Sequence, residues 1–152
     1  MTQADLRRHL DLFSHDTFFY DDLSGFENLQ IVARLLGYRS RCQESLERVG
    51  LGAYQHRPVR TYSAGMKRRL CLARILVKDS LLVLMDEPFT QLDVEGSRLM
   101  EEVILGLYQQ GRGVILSSHD LTRAQGLSHR HFELTSHNDS YSDVSPSVIQ
   151  RA

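Results

Sequence analysis

The sequence predicts an α/β fold built on a parallel sheet, and three observations carry the prediction. Continuous apolar runs at Leu81–Met85 and Gly113–Ser118 suit strands buried on both faces. Segments with helical spacing of apolar residues flank and separate them, and alternation of strand and helix is the pattern of parallel sheets. The first run also delivers Asp86 and Glu87 at its carboxyl end, where such sheets carry their ligands.

Taken in order, His9–Phe13 alternates enough for a short strand, and 14–17 reads as a loop. Asp22–Gly37 has apolar residues at Leu23, Phe26, Leu29, Ile31, Val32, Leu35 and Leu36, which is helical spacing. Ser24 followed by Glu27 is a capping-box signature, and Gly37 closes the helix. A shorter helix over Arg41–Val49 ends at Gly50-Leu51-Gly52, and the polar segment Ala53–Arg60, with Pro58, reads as loop. Ser63 opens a helix running to about Val77, with Leu70, Ala73, Ile75 and Leu76 among its buried positions. A helix from about Val94 to Gln110, bounded by Gly111, joins the two apolar strands. Leu121–Leu127 is a short helix, His131–Leu134 a last edge strand, and 136–152, rich in Ser, Asp and Asn, a loose tail.

The chain has 152 residues, about one domain, with 41% hydrophobic and 24% charged residues, enough to pack a core. A formal net charge of -1 gives no field drawing the whole chain to nucleic acid or anionic lipid. The two cysteines, Cys42 and Cys71, match no zinc or redox spacing and point to a reducing compartment, with Cys71 a small core residue. The first eight residues lack the apolar stretch of a secretory signal, and no run approaches a membrane span. Any membrane role is expected through a partner.

The chemistry-bearing residues lie at strand and helix ends. The first carboxylate after a buried strand, Asp86, suits a magnesium ion held through water against phosphates, and Glu87 suits polarising an attacking water. Taken alone, the pair is also what an ordinary strand ending in a polar turn looks like. Upstream, Tyr62-Ser63-Ala64-Gly65-Met66 opens a helix whose free N–H groups and dipole favour an anion, with Gly65 allowing close approach. Asp93 follows Glu87 by six residues, and His119 ends the next apolar strand.

In this order and spacing the elements resemble ABC-type ATPases over roughly residues 10–134. Tyr62–Met66 resembles the signature motif, Leu82–Glu87 the Walker B strand with its glutamate, Leu92-Asp93 the D-loop, and His119 the switch histidine. The resemblance implies a partial P-loop NTPase fold over 1–135, with a helical subdomain at about 17–62 and the signature, Walker B and switch elements at about 63–135. It implies ATP and Mg2+ as ligands, sandwiched between two ATPase subunits arranged head to tail. Ser63 and Gly65 would touch the γ-phosphate of ATP held by the partner, Asp86 would hold magnesium through water, and Glu87 would be the general base. His119 would contact the γ-phosphate, and Asp93 would line the dimer seam. Membrane-spanning subunits are the implied partners, with the chain peripheral on the cytoplasmic face of a bacterial inner membrane. Phe89 after Pro88, the Ser-Ala-Gly core, His15 and the segments Phe19–Leu23 and Glu27–Leu29 resemble the haem-exporter type serving cytochrome c biogenesis.

Three departures qualify the resemblance. None of the ten glycines is followed by lysine, so the phosphate-wrapping G-x-x-x-x-G-K-[ST] loop is missing from this sequence. The family carries that strand-loop-helix upstream of where this chain starts, so an amino-terminal truncation is expected, through a late start, a gene fragment or a split subunit. Asp16 stands near the family's Q-loop glutamine, where it would contact magnesium. Tyr62 and Ala64 replace the commoner leucine and glycine of the signature. Missing strands are expected to leave apolar sheet edges exposed and the isolated chain poorly soluble or partly unfolded.

Other features read more plainly. His129, His131 and His137 are expected to be solvent-exposed rather than a metal site. Lys67-Arg68-Arg69 reads as the polar, phosphate-side start of the signature helix, too few charges for nucleic acid. Met66, Met85 and Met100 read as core filler. Two alternatives to a transporter ATPase are a non-catalytic, partner-dependent half and a soluble ABC-type ATPase acting on nucleic acid or ribosomes. Against the last stand the lack of coiled-coil heptads and of basic arms.

Overall fold

The computed structural model describes residues 9–14, 18–37, 41–90, 92–130 and 132. Strands β1 (Leu10–Phe13), β2 (Leu82–Met85) and β3 (Gly113–Leu116) form a parallel sheet in the order β1-β2-β3. Parallel neighbours need long crossovers. Helices α1 (Gly25–Leu36), α2 (Cys42–Arg48) and α3 (Ala64–Lys78) lie between β1 and β2, and α4 (Val94–Gln109) between β2 and β3. Helix α5 (Leu121–Leu127) follows β3. The predicted edge strand at 131–134 falls almost wholly outside the described residues, as does the tail.

Helix ends follow local chemistry. Ser24 caps α1: its hydroxyl accepts the Glu27 N–H at 3.2 Å, while Glu27 Oε2 accepts the Ser24 N–H at 2.8 Å. The helix therefore starts at Gly25 rather than Asp22. The turn before it is pinned by buried Asn28, whose Oδ1 accepts the Tyr20 N–H at 2.9 Å while its amide donates to the Tyr20 and Ser24 carbonyls. Gly37 ends α1 in the left-handed conformation, with φ 71°. Two single turns of 3-10 helix, Gly52–Tyr54 and Val59–Thr61, break up the segment predicted as loop.

Period-two alternation splits the sheet into two unlike faces. Phe13, Val83 and Met85 are buried on the face where α3 packs on β1 and α4 on β3. On the other face Leu12 is 51% and Ile115 60% exposed, and Leu82 and Leu84 are half-buried. The expectation that β2 and β3 are buried on both faces is thus corrected: helices cover one face of the described sheet, and an apolar run looks the same whichever number of faces is covered. Apolar exposure falls on a face as well as at the edges.

Helix α3 is bound to β1 by charge as well as packing. Asp11, buried on the helix-covered face, accepts from Arg74 Nη1 at 2.7 Å and lies 3.7 Å from Lys78 Nζ. Arg74 Nη2 also donates to the Leu12 carbonyl at 2.6 Å, and Lys78 to that of Leu10. Both cysteines are free and buried, and Met85 and Met100 sit in the core.

Candidate functional site

The site is assembled at the carboxyl ends of the three strands. The ladder runs one step past β2, where the Asp86 N–H donates to the Phe13 carbonyl at 2.8 Å and the Ser117 N–H to that of Met85 at 2.9 Å. This register sets Ser117 beside Asp86. Its hydroxyl donates to Asp86 Oδ1 at 2.7 Å and accepts the Glu87 N–H at 3.1 Å.

Glu87 adopts a left-handed backbone conformation with φ 43°, uncommon for a residue with a side chain. Its carbonyl accepts from Arg68 Nη2 at 2.8 Å and from the Thr90 N–H at 3.2 Å. The turn aims the carboxylate at His119, whose Nε2 lies 3.7 Å from Glu87 Oε1. The His119 side chain is fully exposed and that of Glu87 is 21% exposed, so one pair presents a deep acid and an accessible imidazole. Glu87 and His119 thus lie side by side, with Asp86 the chain neighbour of Glu87.

Ser63 and Gly65 stand at the start of α3. Ser63 is the cap, its hydroxyl accepting the Met66 N–H at 3.2 Å. The space a side chain would take at Gly65 is open except for Ser63 Oγ at 3.9 Å, so a ligand can approach the helix start closely. Asp93 caps α4 through the Gly96 N–H at 2.6 Å and faces Arg69 Nη2 at 3.9 Å. Asp16 and His15 lie outside the described residues.

The three consecutive bases correct the sequence reading. Lys67 pairs with Asp21 at 3.2 Å, and Arg69 faces Asp93 and Glu95. Arg68 is only 4% exposed, with its guanidinium 5.0 Å above the Phe13 ring. They reach three parts of the fold rather than forming one solvated face. Arg68 and Ser117 are the site residues that the motif reading missed. For Arg68 a signal existed: it shares helical spacing with Cys71, Leu72 and Ile75, all buried. For Ser117 none did, because strand register is not written locally.

Among the described residues no group of three His, Cys, Asp or Glu side chains gathers to hold a metal ion. The donor set here is the exposed Asp86 carboxylate, oriented by Ser117. That fits Mg2+ bound through one carboxylate, water and phosphate oxygens, and does not fit a closed protein cage.

The architecture is that of the ABC ATPases within the P-loop NTPase fold. A solved structure of the ATP binding subunit of an ABC transporter superposes with a TM-score of 0.74 at 23% identity, over 81% of this chain and 53% of that one. The family model for ABC transporters matches residues 1–90, and the chain belongs to that family. It is 34% identical over 121 residues to the ABC transporter ATP-binding protein NatA of Bacillus subtilis, covering 76% of this chain and 49% of NatA. It is 36% identical over 110 residues to the lantibiotic transport ATP-binding protein SrtF of Streptococcus pyogenes, covering 72% of this chain and 48% of SrtF. The chain therefore spans about half the length of these relatives.

Proposed function

We propose that this chain is the signature-to-switch part of an ATP-hydrolysing subunit that energises export through an ABC transporter. The observation that carries the reading is the convergence of Asp86, Glu87 and His119 at the sheet's carboxyl edge, with Glu87 Oε1 3.7 Å from His119 Nε2. Glu87 is the general base that takes a proton from the attacking water, and His119 contacts the γ-phosphate and orients that water. Asp86 would hold Mg2+, which would supply charge neutralisation at the phosphate oxygens. Ser63 and Gly65, at the start of α3, offer amide N–H groups to the γ-phosphate of ATP held by a second subunit packed head to tail. Asp93 lines the seam between the subunits, and Asp16, by its place in the sequence alone, would be a magnesium contact.

Membrane-spanning subunits are the partners, and they hold the chain against the inner face of the cell membrane. Among the described residues no helix is long and apolar enough to cross a membrane. Export as the direction of transport is supported by a relative from Mycobacterium tuberculosis named as a fluoroquinolones export ATP-binding protein, 38% identical over 112 residues. Haem as cargo has narrower support: Phe89 after Pro88, the Ser-Ala-Gly core and the neighbouring segments quoted above, while the names of the relatives do not mention haem.

A second reading has its own support. No glycine among these 152 residues is followed by lysine, so this stretch of chain by itself holds no lysine loop for a nucleotide. In that reading it lends Ser63, Gly65 and His119 to ATP bound elsewhere. Co-expression with candidate membrane subunits and a P-loop-bearing ATPase subunit separates the two. Turnover abolished by Glu87→Gln supports the catalytic reading. Turnover that survives Glu87→Gln yet falls with Ser63→Arg supports the lending one. Failure to assemble with any ATPase subunit in the presence of ATP would sink both. For the chain alone, negligible turnover and very weak nucleotide binding are expected.

A further inference from the structure

We propose that Arg68 is a positioning residue for Glu87, making the start of helix α3 a lever on the backbone that carries the carboxylate. The inference builds on the reading of Glu87 as the base, but its geometry stands on separate observations.

The left-handed turn at Glu87, with φ 43°, costs about 1–3 kcal/mol for a residue with a side chain and persists only where its surroundings over-determine it. Three hydrogen bonds do so. The Ser117 hydroxyl takes the Glu87 N–H and ties the turn to the end of β3. The Thr90 N–H meets the Glu87 carbonyl from within the same turn. Arg68 Nη2 meets that carbonyl at 2.8 Å from another element, α3.

Arg68 is well placed to transmit displacement. It lies five residues after the cap Ser63, about 7.5 Å along one continuous helix. Its guanidinium is stacked rather than solvated, 5.0 Å over the Phe13 ring with 4% of the residue exposed. A stacked, buried guanidinium has few rotamers left, so a shift or twist of the first turn of α3 reaches the Glu87 peptide through one charge-assisted hydrogen bond. The neighbouring bases do not share this path, since Lys67 goes to Asp21 and Arg69 to Asp93 and Glu95. In a head-to-tail ATPase pair, the helix start meets the partner's nucleotide while Glu87 serves the nucleotide on its own chain. Arg68 then reports the filling of one site to the base of the other.

The test uses the 152-residue chain without nucleotide, so that its outcome is independent of the ATP reading. It is run under conditions where the amides of the buried α3 residues Leu72 and Ile75 are protected and the chain is therefore folded. NMR follows the Arg68 guanidinium protons and the amide exchange of Glu87 and Thr90. In the wild type, Arg68 Hη protons are protected and close to Glu87 and Thr90; freely exchanging guanidinium protons would overturn the proposal without any mutant. In Arg68→Met, which keeps the packing on Phe13, exchange at Thr90 and Glu87 rises about tenfold, the worth of one hydrogen bond from a charged donor. Arg68→Lys, which keeps a donor, recovers part of that protection. Ser63→Ala, by loosening the first turn, raises the same exchange in the wild type and has no further effect in Arg68→Met. Equal effects of Ser63→Ala in both backgrounds, or unchanged exchange in a folded Arg68→Met, refute the lever. Should Glu87 not be the base, turnover of the assembled transporter survives Glu87→Gln while these exchange results hold.

Discussion

The phenol oxygen of Tyr62 lies where a side chain on Gly25 would begin: a β-carbon placed there meets it at 2.6 Å. Tyr62 is 6% exposed and donates its hydroxyl to the Tyr54 carbonyl at 2.8 Å. Gly25, the first residue of α1, leaves the room that the Tyr62 hydroxyl occupies. The start of α3 is thereby keyed to the start of α1.

That relationship predicts a non-additive pair. Gly25→Ala should destabilise by about 1–3 kcal/mol through overpacking, and Tyr62→Phe by about 1 kcal/mol through the lost hydrogen bond. In the Tyr62→Phe background Gly25→Ala should cost much less, because the clashing oxygen is gone. Chemical denaturation of the four variants measures the coupling, and strict additivity would show that the two residues act separately.

Asp11 makes a second case. It is buried between Arg74 and Lys78, and burial lowers the Lys78 pKa while the Asp11 charge opposes that shift. Asp11→Asn leaves two cations facing a neutral amide and should cost about 3–5 kcal/mol. Arg74→Met in addition should restore part of the loss. A denaturation midpoint unmoved by Asp11→Asn would show that the cluster contributes little.

The capping box predicts a pH dependence. Hydrogen bonds from the Ser24 side chain and backbone hold the Glu27 pKa below its ordinary value of 4.5. A depressed folded pKa means stability that is present above the unfolded value and lost as pH falls through the folded one. Wild type should therefore lose more stability than Glu27→Gln on acidification from pH 5 to about pH 3. Parallel curves for the two proteins would contradict the box as a source of pH-dependent stability.

Burial pushes the Cys71 thiol up to about 11. The thiolate is the reactive form, so Cys71 should resist alkylation at pH 8 in the folded chain and react quickly once denaturant is added. Mass spectrometry after timed iodoacetamide treatment reads this directly. Rapid labelling of Cys71 under native conditions would mean that α3 opens.

The exposed apolar residues on one sheet face, Leu12 and Ile115, predict an effect on solubility. Ile115→Lys, at a position 60% exposed, should raise solubility with little change in melting temperature, since the lysine stem still lies along the sheet. Light scattering against concentration tests it. Aggregation unchanged by Ile115→Lys and by Leu12→Lys together would place the sticky surface elsewhere.

Near neighbours wrote the local structure of this chain. Ser24 with Glu27, Gly37, and the Ser63 and Asp93 caps follow from side chains reaching amides three residues away, and the acids after β2 from an apolar run that ends. What residue order left open was every relationship across the fold. Ser117 meets Asp86 only because β3 takes one register beside β2, and Arg68 meets Glu87 only because α3 turns that face toward the strand ends. The same holds for Asp11, which reads as a polar break in a short strand until Arg74 and Lys78 arrive from 63 and 68 positions downstream of Asp11 and Leu10. Helix caps and apolar periods are settled over a few residues of chain, whereas register, face coverage and buried charge pairs are settled by which surfaces meet once the crossovers close.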